Sequence, residues 1–577
     1  MQKRYVEIVA QDPGMRDADG KVLTATVYLP MGGLLPGPMG EALHVVDFDA
    51  STGTMYRPYD PGPDTVVAPK NPEDLLADPG YHAMNAFAIA MRVLLRFEFA
   101  LGRRIGWGIR GHQLKLVPHA FEDANAFYSP DLEALLFGYV RKPEPSFLCL
   151  SHDVVAHETA HALLDGLRDK FLSPSSVDQA ALHEGFADIV ALLSVFALPE
   201  IARHLIAPIR DDPTPAGYAR KSQLTRDVLR TTALFGLAEN MRSDASDSRV
   251  NALRRSVDID PDPGLLNSLE YQEEHRRGEL LVAAVMGAML DAWVMRIQQL
   301  GGPGPDAIVD LGVVAEQGAD IADQLLTMVI RAIDYAPPIH ISFGDFLSAM
   351  LTADHEVRAD DSRFRLRDNL TRSMAAYGIV PASNGPEGRW KAPREGLDRA
   401  GAHVGGLQSD PTEVFRHLWR NRRQLNLAEY AFTRVGSVRP CVRIAPDDGF
   451  QVRETVIECV QWLRITATEL ADYGLKTPAG MADDQVIVLE GGSTLILDEY
   501  GELKYDISNP LPSPTVPKGT TKAWNKRLQY LWDAGLIGAG TRSVALPAVH
   551  HDRLLEDDAG NIAAPSSISR EAAEAWR

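Results

Sequence analysis

The chain has 577 residues, 45% hydrophobic and 24% charged, a balance that excludes disorder, collagen-like repeats and coiled-coil arrays as its main architecture. Its 58 basic and 78 acidic residues leave a formal charge of −20, which disfavours non-specific nucleic-acid binding. Three widely spaced cysteines, Cys149, Cys441 and Cys459, imply no disulfide framework. Along the chain, short β-prone runs (YVEIVA, TATVYLP, ALHVVDF) alternate with Gly/Pro turns and predict an N-terminal β region over residues 1–75. From Tyr81, YHAMNAFAIAMRVLLRFEFALG carries apolar residues at helical spacing and stops at Gly102. The strand-like runs HQLKLVP and EALLFGYV follow, then helices from Asp153 to about Leu167 and from Gln179 to about Phe196. Residues 200–380 read as mainly helical, and ASNGPEGRWKAPREG, from Ala382, reads as a linker. The tail, 400–577, reads as α+β, with helices near Val414–Tyr430 and Val452–Leu470. It ends in a hairpin, QVIVLEGGSTLILDEYGELKYDI, with turns expected at GG and EYGE.

Three units are therefore expected, 1–75, 76–381 and 400–577, with an α+β fold overall. The N-terminus has no apolar run of secretory length, and the longest one, from Leu280, is cut by Asp291 before it could span a bilayer. A cytoplasmic protein with no membrane partner is the expectation.

His157-Glu158-Thr159-Ala160-His161 forms an HExxH motif inside a helical segment. Residues four apart share a helix face, so two imidazoles can converge on one zinc ion while the glutamate faces the attacking water and accepts its proton. A catalytic zinc also needs a third protein ligand. Glu184, twenty-three residues after His161, lies in the helical run HEGFADIVALLSVF. Asp188, one turn further on, is placed to hydrogen-bond a ligating histidine.

DVVAHETAHALLD followed by an ExxxD helix resembles the thermolysin-like gluzincins, the M4 metallopeptidases. Asn125-Ala126-Phe127-Tyr128 resembles that family's edge-strand motif, which binds substrate backbone through Asn125 and Ala126. ALRRS (Ala252–Ser256) is similar to the family segment whose arginine, here Arg254, holds a substrate carbonyl. His275, in EEHRRGELLVAAV, is similar to the histidine that stabilises the oxyanion, with Glu270 or Glu273 as the acid that orients it. Val154 and Leu253 match positions lining an apolar pocket for the residue after the scissile bond. The resemblance covers roughly residues 80–380. It implies a zincin with an edge β-sheet and HExxH helix in its N-lobe and a mainly helical C-lobe. The family tyrosine that assists the oxyanion falls, by counting, on Leu172. A third histidine six residues after His161, as metzincins require, is replaced by Leu167.

The function expected is zinc-dependent hydrolysis of a peptide or protein substrate, with His157, His161 and Glu184 as ligands, Glu158 as general base and His275 stabilising the oxyanion. Two alternatives stand beside it: a non-proteolytic binding protein that kept the fold, and a zinc aminopeptidase acting on short peptides. The basic run FRHLWRNRRQLN, from Phe415, reads as a solvated helix face with buried aromatics, and no nucleic-acid partner is expected. Cys441, in RPCV, reads as a buried structural cysteine.

Overall fold

The first long helix among the described residues is α1 (Pro79–Leu101). Asp78 caps its start by accepting from the Gly80 amide, and Gly102, at φ 68°, ends it in the left-handed conformation. The structure, a computed structural model, describes residues 3–17, 19–30, 34–62, 76–141, 145–207, 214–238, 256–445, 449–514 and 519–537. In chain order α1 follows β1 (Lys3–Val9), β2 (Thr24–Pro30) and β3 (Leu43–Val45), and a two-residue pairing of Phe48–Asp49 with Thr54–Met55. Strands β1 and β2 form an antiparallel hairpin whose Val6, Ile8, Val27 and Leu29 enter the same core as α1. Asn85 ties the hairpin down, accepting from the Val9 amide at 2.9 Å and donating to the Cys149 carbonyl at 3.0 Å. A two-stranded ribbon cannot bury a core of its own, so this segment is a flap of the main body.

Strand β3 belongs to the central sheet, with β4 (Leu114–Glu122), β5 (Ala126–Ser129) and β6 (Ala134–Val140). The order is β3-β4-β6-β5, the first two pairings parallel and the last antiparallel, which leaves β5 at the edge. Five long helices follow: α2 (His152–Leu167), α3 (Val177–Phe196), α4 (Glu274–Gln299), α5 (Leu311–Ala332) and α6 (Phe343–Val357). By length and composition α3 and α4 could cross a membrane, yet both are mostly buried inside the protein. They cross at Gly185 and Gly278. A Cβ on Gly278 would lie 3.0 Å from the Ala181 carbonyl oxygen and 3.2 Å from the Gly185 nitrogen.

The tail departs from expectation. After α7 (Pro411–Arg420) comes an antiparallel meander of β7 (Phe432–Ile444), β8 (Gln451–Thr466), β9 (Val486–Asp498) and β10 (Leu503–Asn509). The helix expected over Val452–Leu470 is strand β8 for most of its length. Its central position in the sheet buries residues on both faces, so the alternation that marks a strand is missing from the sequence. The expected GG turn is also absent: Gly491 and Gly492 lie within β9, and the hairpin turns at Glu499–Gly501. A Cβ on Gly492 would approach Pro338 to 2.8 Å, and one on Gly491 would reach the Leu511 amide at 2.6 Å. These glycines serve close packing rather than a turn.

The expected linker is docked: Trp390 donates its indole N–H to the Tyr335 carbonyl at 2.8 Å, and Ser383 N–H bonds Ser348 on α6 at 3.0 Å. Ile496, Tyr505 and Ile507 of the tail sheet join the main core. Buried ion pairs reinforce the junction. Arg168, at the end of α2, bonds Glu458 of β8 at 2.8 Å, and Arg443 of β7 bonds Asp334 at 2.6 Å and also pairs with Glu454.

Candidate metal centre

Helix α2 is buried along nearly its whole length, so polar side chains at its centre require partners inside the protein. His157 and His161, one turn apart, bring their Nε2 atoms to 2.8 Å with the rings edge to face. From α3, Glu184 places Oε2 3.7 Å from His157 Nε2 and Oε1 3.6 Å from His161 Nε2. An ion bound tetrahedrally at about 2.0–2.2 Å separates its ligands by about 3.3–3.6 Å. The carboxylate oxygens, one toward each ring, stand at or just beyond that spacing, and the two rings need to part by about half an ångström. The three side chains thus fit one tetrahedral cation. Asp188, one turn along α3, sets Oδ1 2.8 Å from His157 Nδ1, a close but bent contact. The carboxylate faces Nδ1 and leaves Nε2 turned to the Glu184 side.

Glu158 is buried, and its Oε2 accepts from the Tyr128 amide of edge strand β5 at 2.9 Å. The sheet register explains this bond. The Asn125 carbonyl accepts from Gly138 N–H at 2.8 Å, and Ala126 faces Phe137 across the pair. Alternation in an antiparallel ladder then turns the main-chain groups of Ala126 and Tyr128 to the outer edge. Of the two residues expected to bind substrate backbone, Ala126 therefore has its main chain on the open side, whereas the Asn125 carbonyl is used within the sheet.

His275 lies in the first turn of α4, one turn before Gly278, so the close α3–α4 crossing brings it toward the Glu184 turn of α3. Its Nδ1 lies 2.6 Å from Glu273 Oε1. Glu270, the orienting acid first expected, pairs instead with Arg276; Glu273 has the shorter reach because it caps α4 and also accepts the Arg276 amide. Burial favours the neutral ring, but the hydrogen bond to Glu273 and the charges of Glu184 and Asp188 raise the His275 pKa to about 9.

Val154 is buried in the main core. Leu253 and Arg254 lie outside the described residues. Leu172 sits buried in a short 3₁₀ turn, with no hydroxyl to offer. Arginines of the FRHLWRNRRQLN run are engaged locally: Arg416 with Glu413, Arg420 with the Ala400 carbonyl, and Arg422 with Glu429 while covering Trp419. The Cys441 thiol contacts the Glu454 carbonyl within the tail sheet.

Sequence reasoning overlooked His183 and Asp165. The His183 ring stacks on His161 at 4.5 Å and 9°, with Nδ1 3.7 Å from Glu184 Oε1. Asp165 accepts from the Tyr128 hydroxyl at 2.7 Å, and burial raises its pKa. The available signal was Asp165 two turns after Glu158 on α2, and a histidine adjoining the third candidate ligand. Beside Asp165, a cavity of about 300 Å³ separates the end of α2 from Arg434, Ser437 and Trp462 of the tail sheet. No family model matches this chain, and no curated protein does.

Proposed function

We propose that the protein is a zinc-dependent endopeptidase with a thermolysin-like catalytic unit. The observation that carries this reading is the convergence of His157, His161 and Glu184 near the spacing of one tetrahedral ion, with the buried carboxylate of Glu158, next to His157 in the chain, held by the Tyr128 amide. A zinc ion on those three side chains would supply an acidified water and polarise the carbonyl under attack. Glu158, oriented by the Tyr128 amide, accepts the proton of the attacking water and passes it to the leaving amine. His275, steadied by Glu273, donates a hydrogen bond to the carbonyl oxygen as it becomes negative. The outer edge of β5 offers Ala126 main-chain groups to an extended peptide, which would align the scissile bond with Glu158.

Zinc content and hydrolysis of peptides and of an intact protein, measured for wild type and Glu158→Gln, test the proposal. Wild type should hold zinc and cut the intact protein internally. The variant should keep its zinc and lose about 10²–10⁴-fold in turnover, because an amide cannot take the proton. Unchanged turnover in Glu158→Gln would overturn the assignment. Release of free amino acids from short peptides, with the intact protein left whole, would instead favour an aminopeptidase.

A further inference from the structure

A second cluster lies away from the HExxH site. His82 is in the first turn of α1, His119 is in β4, and Cys149 is in the turn leading into α2. All three are buried, and their ligand atoms lie within 4.8 Å of one another. His82 Nδ1 and His119 Nε2 stand 2.8 Å apart.

The other ring nitrogens decide what can lie between them. His82 Nε2 meets the Leu76 carbonyl at 3.1 Å, and a carbonyl only accepts, so Nε2 carries the hydrogen. His119 Nδ1 meets Asp47 Oδ2 at 2.8 Å, while the other oxygen of that carboxylate accepts the His119 amide at 3.1 Å. Asp47 therefore acts as an acceptor, and Nδ1 carries the hydrogen. With both outer nitrogens protonated, the two facing nitrogens present lone pairs to each other in a buried site. A cation has to lie between them, either a proton or a metal ion.

The surroundings favour the metal. A carboxylate behind one imidazole and a backbone carbonyl behind the other is the arrangement that orients metal-ligating histidines. The Cys149 sulfur lies within 4.8 Å of ligand nitrogens of both rings, and one thiolate with two imidazoles is a donor set for zinc. Charge agrees: a divalent ion, the Cys149 thiolate and the Asp47 carboxylate sum to zero, which a buried cluster requires. The rings of Tyr56 and Phe147 pack on His119 and His82, each pair at 4.6 Å.

We propose that His82, His119 and Cys149 form a second, buried zinc site, distinct from the HExxH centre. The site joins α1, the central sheet and the turn that launches α2. On binding, zinc takes the place of the Cys149 proton, which leaves to solvent, with no change of oxidation state.

The test is metal counting on the full chain, produced with zinc, for wild type, His157→Ala/His161→Ala and Cys149→Ser. Two zinc ions per chain are expected in wild type and one in each variant. Growth with cobalt adds a signature, because only a thiolate ligand gives a sulfur-to-cobalt charge-transfer band in the near ultraviolet. That band should persist in the His157→Ala/His161→Ala protein and vanish in Cys149→Ser. If Cys149→Ser does not fold, the band in the double histidine variant still decides. One zinc per chain, lost in the double histidine variant, with no thiolate band, would overturn the second site while leaving the proposed function standing. One zinc retained by that variant with a thiolate band would support the second site and count against the first.

Discussion

Glu158 and His275 divide the work expected of the candidate site, and both are positioned by groups outside the HExxH motif. The Tyr128 amide fixes one carboxylate oxygen of Glu158, while Glu273 fixes the His275 ring. The His275–Glu273 pair has a definite pH signature. The His275 pKa is raised to about 9, so its contribution to stability is complete below its ordinary value of 6.5 and is lost as pH rises through about 9. For Glu273, burial is outweighed by the His275 hydrogen bond and the pKa falls to about 2. Its contribution is complete above the ordinary 4.5 and is lost as pH falls through about 2. In metal-free protein, NMR titration of His275 should give a midpoint near 9, and Glu273→Gln should bring it down. An unchanged midpoint would show that Glu273 does not hold the ring. Zinc should also lower it, since a nearby cation disfavours the imidazolium.

Elements meet here through small residues. The α3–α4 crossing at Gly185 and Gly278 brings the start of one helix against the Glu184 turn of the other. Gly278→Leu should cost about 1–3 kcal/mol through overpacking. Because His275 lies one turn away, turnover should fall by more than the loss of folded protein explains. Urea unfolding and activity measured on the same samples check this; wild-type turnover would mean that the crossing does not position His275. In the tail sheet, Gly492→Val would drive a side chain into Pro338. An unfolding midpoint below wild type is expected, and an unchanged one would show that the contact is slack.

At the scale of the whole molecule, the helical body and the tail sheet share buried charge. Asp334 is fully buried, and although burial alone would raise its carboxyl, Arg103 and Arg443 hold it well below the usual carboxylate range. Arg443 also pairs with Glu454, which accepts the Tyr335 hydroxyl at 2.6 Å. Removing one partner from such a set strands the others. Arg443→Met should therefore destabilise the chain by about 3–5 kcal/mol. Denaturant unfolding measures this; a loss under 1 kcal/mol would mean that water reaches the stranded carboxylates. Asp334 has the depressed sign, so its stabilisation is full above the ordinary value of 3.8 and fades only in strong acid.

Local chemistry made several features legible in the chain. The end of α1 was legible in its terminal Gly102, whereas its start, read at Tyr81, lies at Pro79 behind the Asp78 cap. Helices α2 and α3 follow from long segments with helical signals, and the i, i+4 rule alone places His157 and His161 on one face. Glu184 and Asp188 were legible by the same rule once α3 was recognised. Features that depend on residues distant in sequence were not legible. Strand β8, buried on both faces, carries no alternation to distinguish it from a helix. A GG pair reads as a turn until the neighbours that demand its missing side chains are known. The choice of Glu273 over Glu270 followed from the cap geometry of α4, and the outward main chain of Ala126 from the register of β5 against β6. The facing rings of His82 and His119, thirty-seven positions apart, meet only because α1 packs on the sheet. Sequence spacing encodes what lies within one helical turn; contacts between elements depend on packing, which the tertiary structure alone decides.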